Sequence, residues 1–234
     1  MGGIYLGTRD IAFGRIADLR RPAYRKMYED AYRADLERYG HELTLEEANQ
    51  RLEERRRAKV EIVATSRERS QTKFIPKEAI LLIANWALPI GEPDPNASIE
   101  NWNEFARIAE FLYGERLPTI RLWIRFKRYI IGATPDGVAD DYVYEFKATS
   151  QMGRRLEAIR EASIRQAILY AYAFRRPRVK VQIAKFPLPK NPWPLKVGDL
   201  PEPGIETISR PTKPEEALAI LKEFDEAFGA EGKG

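Results

Sequence analysis

The chain has 234 residues, 44% hydrophobic and 32% charged, which is enough apolar content for one globular domain with a core. It has no cysteine, which excludes disulfides, cysteine-held zinc, thiol nucleophiles and an iron–sulfur cluster held by thiolates. The net charge of +4 is too small to indicate a nucleic-acid partner unless the cations cluster. No apolar leader or long apolar run is present, so we expect a cytoplasmic protein with no membrane span. The abundant Arg, Lys and Glu are typical of a thermophile.

Residues 1–114 are predicted to be a helical N-terminal region packed on a core. Capping residues, prolines and apolar stripes at helical spacing indicate four helices there. They are 22–39 beginning at Pro22, a charged helix from a Thr44–Glu47 capping box to about Ala64, an apolar helix from Pro76 to Leu88, and a helix from Ser98 to Gly114. No strand is predicted before residue 115.

From residue 120 the apolar period changes from 3.6 to 2, so residues 115–186 are predicted to be a sheet-based core. Three strands near 120–127, 129–133 and 142–149 are separated by short connections, which predicts an antiparallel meander. A helix at 154–175 and a strand around 179–183 follow, and a helix between two strands favours a parallel crossover and a mixed sheet. Residues 187–234 are predicted to be a proline-rich extended or looped segment and a C-terminal helix, within one compact domain overall.

Two short signals within Ile130–Thr149 carry the predicted chemistry. Asp136 lies in a Pro-Asp-Gly turn at the end of one predicted strand, and Gly137 is expected to permit the tight backbone there. Glu145 and Lys147 share one face of the next strand because side chains alternate. A carboxylate inside the fold needs a charged partner, which Lys147 or a divalent metal would supply. A salt bridge without catalysis, and an Asx turn at Asp136, are the alternatives.

The carboxylates of Asp136 and Glu145, with the backbone carbonyl of Phe146, would form a hard oxygen site that suits Mg²⁺ or Mn²⁺. Such a metal acidifies a bound water and stabilises the charge that phosphodiester hydrolysis builds on the phosphate. Lys147 is predicted to orient or deprotonate that water, or to stabilise the developing charge. Two further residues, Gln166 and Tyr170, lie one turn apart on the following helix and are predicted to face the site.

Three segments occur in order along the chain. They are Gly132–Gly137, then Glu145-Phe146-Lys147, and then Gln166 followed four positions later by Tyr170. This arrangement resembles the PD-(D/E)xK nuclease superfamily, and specifically its RecB-like branch, which includes the CRISPR-associated RecB-like exonucleases. The resemblance covers about residues 115–186. It implies an α/β fold with a restriction-endonuclease-like core, of order α-βββ-αβ with a mixed central sheet.

The resemblance also implies an upstream metal ligand, a His or Glu carried by a helix. Glu61 and His41 compete for that role, with a solvated surface position as the alternative for each. Many CRISPR-associated members hold an iron–sulfur cluster through four cysteines, so this chain resembles a relative without that cluster. A second copy of the chain, or CRISPR, repair or viral replication proteins, are the protein partners that the resemblance leaves open.

Cationic and aromatic side chains flank the predicted site on two elements and are the candidate DNA contacts: Arg121, Trp123, Arg125, Arg154 and Arg155. A cationic surface beside a metal site would attract a phosphate backbone, and Trp123 would stack on an unpaired base. An ordinary solvated face is the alternative for each of these residues.

The sequence thus predicts a Mg²⁺- or Mn²⁺-dependent deoxyribonuclease, with the resemblance favouring an exonuclease that acts on single-stranded or frayed DNA ends. Two alternatives belong to other classes. One is a catalytically inactive nucleic-acid-binding or assembly subunit with the same fold, and the other is a structure-specific endonuclease such as a junction resolvase.

Overall fold

A computed structural model describes residues 3–19, 21–61, 74–82 and 88–230 and has a mixed α/β architecture, as predicted. The strands are β1 (Ile4–Gly7), β2 (Lys59–Glu61), β3 (Leu88–Ile90), β4 (Ser98–Ile99), β5 (Leu122–Phe126), β6 (Tyr129–Ala133), β7 (Gly137–Val138), β8 (Tyr142–Thr149), β9 (Arg178–Lys185), β10 (Leu195–Lys196) and β11 (Gly204–Pro211). The helices are α1 (Thr8–Ala12), α2 (Ile16–Leu19), α3 (Pro22–Tyr39), α4 (Leu45–Arg57), α5 (Lys77–Leu82), α6 (Trp102–Tyr113), α7 (Arg154–Phe174) and α8 (Pro214–Ala230), and a 3₁₀ turn covers Val197–Asp199.

The larger sheet has the strand order β11-β9-β8-β7. Its two long central strands, β8 and β9, are parallel from the pair Tyr142–Arg178 to the pair Thr149–Lys185. Helix α7 makes the crossover between them, as a parallel connection requires. The outer strands β7 and β11 are antiparallel to their neighbours, so the predicted mixed sheet is confirmed.

Strand β8 is covered on both faces because two helices sandwich it. Val143 belongs to a core that includes apolar residues of α7, β9 and α8. Tyr144 and Phe146, which alternate with it, belong to a second core with Phe105 and Ile108 of α6. The two predicted faces of this strand are thus confirmed, and the apolar alternation reflects two separate cores.

A second sheet has the order β1-β6-β5. The antiparallel pairing of β5 with β6 confirms the first half of the predicted meander. The second half is wrong, because β6 pairs in parallel with β1, and β8 pairs instead with the short strand β7. Pro135 lacks an N–H and lies between β6 and β7, which favours a break in the ladder there. Strand β1 also corrects the expectation of a purely helical N-terminal region; its four residues are too few to show a period.

Three predicted helix boundaries are wrong. Helix α4 has the predicted Thr44 cap but ends at Arg57, and Glu61 closes strand β2, which pairs with β3. The sequence there, Val60-Glu61-Ile62-Val63, is rich in β-branched residues, which favour strands. Residues 62–64 of the predicted helix lie outside the described part of the chain.

The helix expected to reach Leu88 is α5, which is described from Lys77 to Leu82; residues 83–87 lie outside the described part, and Leu88 begins β3. Helix α6 is capped by Asn101 and not by Ser98, because the Asn101 Oδ1 accepts from the backbone N–H groups of residues 103 and 104. In the proline-rich tail, β11 pairs with β9 over eight residues, a strand that the sequence did not indicate. Within the described residues, no helix has the length and apolarity to cross a membrane.

Candidate active site

Asp136 lies between β6 and β7, and its side chain accepts a hydrogen bond from the backbone of β8. Its Oδ2 accepts a hydrogen bond of 2.7 Å from the backbone N–H of Phe146. Strand β7 pairs with β8 only at residues 143 and 144, so this edge of β8 is unpaired at Phe146 and its N–H is left for the carboxylate. The Asp136 contact therefore reaches ten residues along the chain, which differs from the local bond of an Asx turn.

The Pro-Asp-Gly turn is held from one side by residues 117–119. The Thr119 hydroxyl donates to the carbonyl of Pro135, and the Val138 N–H donates to the Pro118 carbonyl at 2.9 Å. Gly137 is required for space, since a Cβ there would lie 2.5 Å from the Cβ of Leu117. Its φ is outside the left-handed region, so the prediction that the glycine serves a tight backbone is corrected.

Glu145 and Lys147 form an ion pair at the edge between core and surface. Glu145 is fully buried, and its Oε1 pairs with the Lys147 Nζ. The Lys147 side chain is 21% exposed, so the ammonium end of the pair lies nearer to solvent. The second carboxylate oxygen, Glu145 Oε2, is buried and has no hydrogen-bond partner among the described residues. A buried orphan acceptor of this kind is rare in folded proteins.

The two carboxyl groups affect each other unequally, since Asp136 raises the pKa of Glu145 whereas Glu145 lowers that of Asp136. Burial and the nearby Asp136 raise the pKa of Glu145 to about 8. Burial also raises the pKa of Asp136, although Lys147 and the Phe146 N–H act against that rise. Burial alone would lower the pKa of Lys147, but Glu145 and Asp136 outweigh it and raise the pKa above its ordinary value. The site thus holds more carboxylates than cations, which favours an added positive charge.

Helix α7 brings the predicted pair Gln166 and Tyr170 to these carboxylates. Both side chains are 4% exposed, and the Gln166 Nε2 donates to the Tyr170 hydroxyl at 2.6 Å. Burial, Glu145 and Asp136 raise the pKa of Tyr170 well above its usual range, so the hydroxyl stays protonated. The Gln166 Oε1 is a second buried acceptor without a partner among the described residues.

One acid near the site was missed by the sequence analysis. Glu110, on α6, has a pKa raised well above its ordinary value by burial and then by the charges of Asp136 and Glu145. Chain order could have indicated Glu110 as a candidate. The resemblance implies an acid on a helix before the strands, and α6 is the helix immediately before β5. Thr8 of α1 was missed as well: it is 2% exposed, and it acts against the rise in the pKa of Tyr170.

The two competing upstream ligands lie elsewhere or are only partly described. His41 precedes α4, and its Nε2 is 2.7 Å from Oε1 of Glu47, the capping acid of that helix. Glu61 is on a strand, which contradicts its expected place on a helix, and its side chain is outside the described part of the structure. Among the acids upstream of β5 whose side chains the structure describes, Glu110 is the one whose pKa is raised by the charges of Asp136 and Glu145.

The predicted DNA contacts divide into two groups. Arg121, just before β5, and Trp123, on β5, both donate hydrogen bonds to Asp35 of α3, at 3.3 and 2.9 Å. Arg125 forms an ion pair with Glu42, so it too already has a partner within the chain. The second group, Arg154 and Arg155 at the start of α7, is exposed. Within the described residues, its one side-chain hydrogen bond runs from Arg155 to Gln151 at 3.5 Å.

Across residues 3–19, 21–61, 74–82 and 88–230, no group of three or more His, Cys, Asp or Glu side chains is arranged to hold a metal ion. Comparisons with protein-family models and with curated protein sequences found no match to this chain. A function for this chain is therefore inferred from the geometry around Asp136 and Glu145 and from the motif resemblance described above.

Proposed function

We propose that this chain is a Mg²⁺- or Mn²⁺-dependent DNA nuclease of RecB-like type, with a restriction-endonuclease-like core. The observation that carries the proposal is the environment of Glu145. Its carboxylate is fully buried, one oxygen pairs with Lys147, and the other has no partner among the described residues. A second acid, Asp136, raises its pKa further. A buried carboxylate in these surroundings favours a cation ligand.

The donor set fits a hard divalent cation. Asp136 and Glu145 would hold it together with the carbonyl of Phe146, which lies at the same strand edge as the N–H that binds Asp136. Asp136 and Glu145 also raise the pKa of Glu110 on α6. The three acids are not arranged to share one ion in the described structure, so Glu110 would have to move closer to become a third ligand. When bound, the metal supplies an acidified water and a counter-charge for the phosphate.

Lys147 would stabilise the charge that develops on the phosphate. Because its pKa is raised above the ordinary value by Glu145 and Asp136, the ammonium stays charged at neutral pH and is a hydrogen-bond donor. We therefore favour this role over proton abstraction from the water. The Gln166 Oε1, an acceptor without a partner among the described residues, would take a hydrogen bond from the attacking water. Tyr170 fixes the amide so that this oxygen is oriented.

A single-stranded or frayed DNA end is the proposed substrate, and exonucleolytic cleavage the proposed mode; both rest on the resemblance. The exposed Arg154 and Arg155 support a nucleic-acid partner, because they begin α7 only a short loop after the carboxyl end of β8. Phosphate contacts from such cations give sequence-independent affinity that falls with salt.

The decisive experiment measures cleavage of labelled single-stranded and double-stranded DNA in Mg²⁺, Mn²⁺ or EDTA. Asp136→Asn and Lys147→Ala should each reduce the rate by a factor on the order of 10² or more. Glu110→Gln should raise the Mg²⁺ concentration needed for half-maximal rate. Circular DNA should resist cleavage if the enzyme requires an end.

Asp140→Asn is the matched control, since this acid is four residues from Asp136 but its side chain is 89% exposed. It should retain full activity. Cleavage that persists in EDTA, or equally in Asp136→Asn and Lys147→Ala, would contradict the mechanism. DNA binding without cleavage under every metal condition would instead favour the inactive binding subunit.

A further inference from the structure

Helix α1 begins at the same sheet edge as the segment that carries Asp136. Strands β1 and β6 are parallel, and Gly7 pairs with Gly132, so their carboxyl ends lie side by side. Thr8 and Arg9 continue from one strand as Thr134 to Asp136 continue from the other. Helix α1 also packs against α7, the helix that carries Gln166 and Tyr170.

Buried polar contacts fix this five-residue helix in place. Asp10 is fully buried, and its carboxylate accepts from the Gly7 N–H at 3.1 Å and from the Tyr24 hydroxyl at 2.7 Å. Each contact ties α1 to a neighbouring element, β1 in one case and α3 in the other. A side chain carried by α1 therefore has a defined position relative to Asp136.

Arg9 is exposed on this fixed helix, two residues beyond the carboxyl end of β1. Among the described residues it has no carboxylate partner, in contrast to Arg125 and Arg160, which pair with glutamates. Its guanidinium lies 5.8 Å from the centre of the Phe13 ring, a contact that orients the group and leaves its charge in place.

We infer that Arg9 binds a phosphate of the substrate strand next to the phosphate that is cleaved. A guanidinium donates two parallel hydrogen bonds to phosphate oxygens, and a fixed helix would hold it in register with the carboxylates. The strand would then pass along α1 on its way to Asp136 and Lys147. This inference rests on the proposed function and names a substrate contact for the same site.

The test measures binding of a fluorescein-labelled single-stranded oligonucleotide by anisotropy, with Ca²⁺ in place of Mg²⁺, at several salt concentrations. Arg9→Gln should weaken binding roughly ten-fold and lower the slope of log affinity against log salt by about 1. Arg9→Lys should recover part of the affinity. Arg128→Gln is the control, since it removes the same charge from an exposed arginine before β6, at the opposite end of that strand.

Equal binding by wild type and Arg9→Gln, or equal losses in Arg9→Gln and Arg128→Gln, would overturn the inference and leave the proposed function intact. Failure of the wild type to bind any oligonucleotide would overturn the proposed function itself, and this contact with it. A thermal melt of each variant separates a lost phosphate contact from a damaged fold, since Arg9→Gln should melt with the wild type.

Discussion

The two oxygens of the Glu145 carboxylate have unequal surroundings, and this inequality is the strongest residue-scale feature of the molecule. One oxygen is neutralised by Lys147 and the other is left without a donor among the described residues. The amide of Gln166 is divided in the same way, with its nitrogen bonded to Tyr170 and its oxygen unpaired in that part of the chain. A site that bound nothing would be expected to satisfy these acceptors internally.

Tyr170→Phe should separate orientation from packing at this site. The phenyl ring would still fill the core, but the Gln166 Nε2 would lose its buried partner, which should destabilise the fold by about 1–3 kcal/mol. Because Gln166 would then rotate more freely, kcat should fall while KM stays near its wild-type value. Urea denaturation and steady-state cleavage kinetics measure the two effects.

Tyr172→Phe is the matched control for that variant. Tyr172 is on the same helix, is half-buried, and has no side-chain hydrogen bond recorded within the described residues. Its loss of a hydroxyl should leave stability and kcat unchanged. A Tyr170→Phe protein with full stability and full kcat would contradict the orienting role of the hydroxyl.

The residues of the candidate site differ in how far their positions are determined by the sequence next to them. Asp136, Glu145 and Lys147 could be predicted because strand alternation and a turn determine where their side chains point. Glu110 could not be assigned, since its role depends on which helix packs over Phe146, and the nearly uniform apolar face of α6 gives no indication of that. Thr8 was missed for a related reason, because it begins a five-residue helix directly after a four-residue strand, and both are too short to show a period.

At the scale of elements, the turn before β7 determines where the sheet stops. Strand β7 has two residues and pairs with only part of β8, so the polar edge of β8 beyond it is available to Asp136. The central strands β8 and β9 were predictable from period-2 patterns, whereas β7 and β11 at the edges, and β2 in another sheet, were not. Such strands are specified by their neighbours: β11, for example, is half-exposed along its length and lies on the edge of β9.

Gly137→Ala should damage the site through this turn. The new Cβ would lie 2.5 Å from the Cβ of Leu117, a contact with atoms that move only with their backbone. The strain should cost about 1–3 kcal/mol and shift Asp136 away from the Phe146 N–H. We expect a lower midpoint in urea, and a cleavage rate lower than the loss of folded protein explains.

Gly204→Ala provides the comparison, because it also places a methyl group on a strand glycine. There the nearest atom is the Lys185 Cε at 3.7 Å, so the added Cβ has room. This variant should be at least as stable as the wild type and fully active. Comparable losses of stability and activity in the two variants would show that the close contact between residue 137 and Leu117 is not their cause.

At the scale of the whole molecule, the site lies where the two hydrophobic cores meet. Helix α7, on one face of β8, supplies Gln166 and Tyr170, and α6, on the other face, supplies Glu110. The acids are therefore brought together by the packing that stabilises the fold. Their mutual repulsion and burial should reduce the stability of the metal-free protein, because each carboxyl pays a desolvation cost when it ionises.

This cost predicts how stability depends on pH and metal. The pKa of Glu145 is about 8 in the folded chain, against an ordinary value of 4.5. Between these values the folded state holds a proton that the unfolded state has lost, so the free energy of unfolding falls as pH rises. The raised pKa values of Asp136 and Glu110 act in the same direction. Lys147, whose pKa is raised above 10.5, stays charged throughout this range.

In EDTA, the Tm should therefore fall on the order of 5 °C between pH 5 and pH 8 through these groups. Mg²⁺ binds the ionised carboxylates, so it should raise the Tm more at pH 8 than at pH 5. Glu145→Gln should flatten the EDTA profile and abolish the Mg²⁺ shift, whereas the exposed-site control Asp140→Asn should keep both. Thermal melts at four or five pH values, with EDTA or Mg²⁺, provide the comparison. A Glu145→Gln profile parallel to the wild type would show that the buried carboxyl neither strains the fold nor holds the metal.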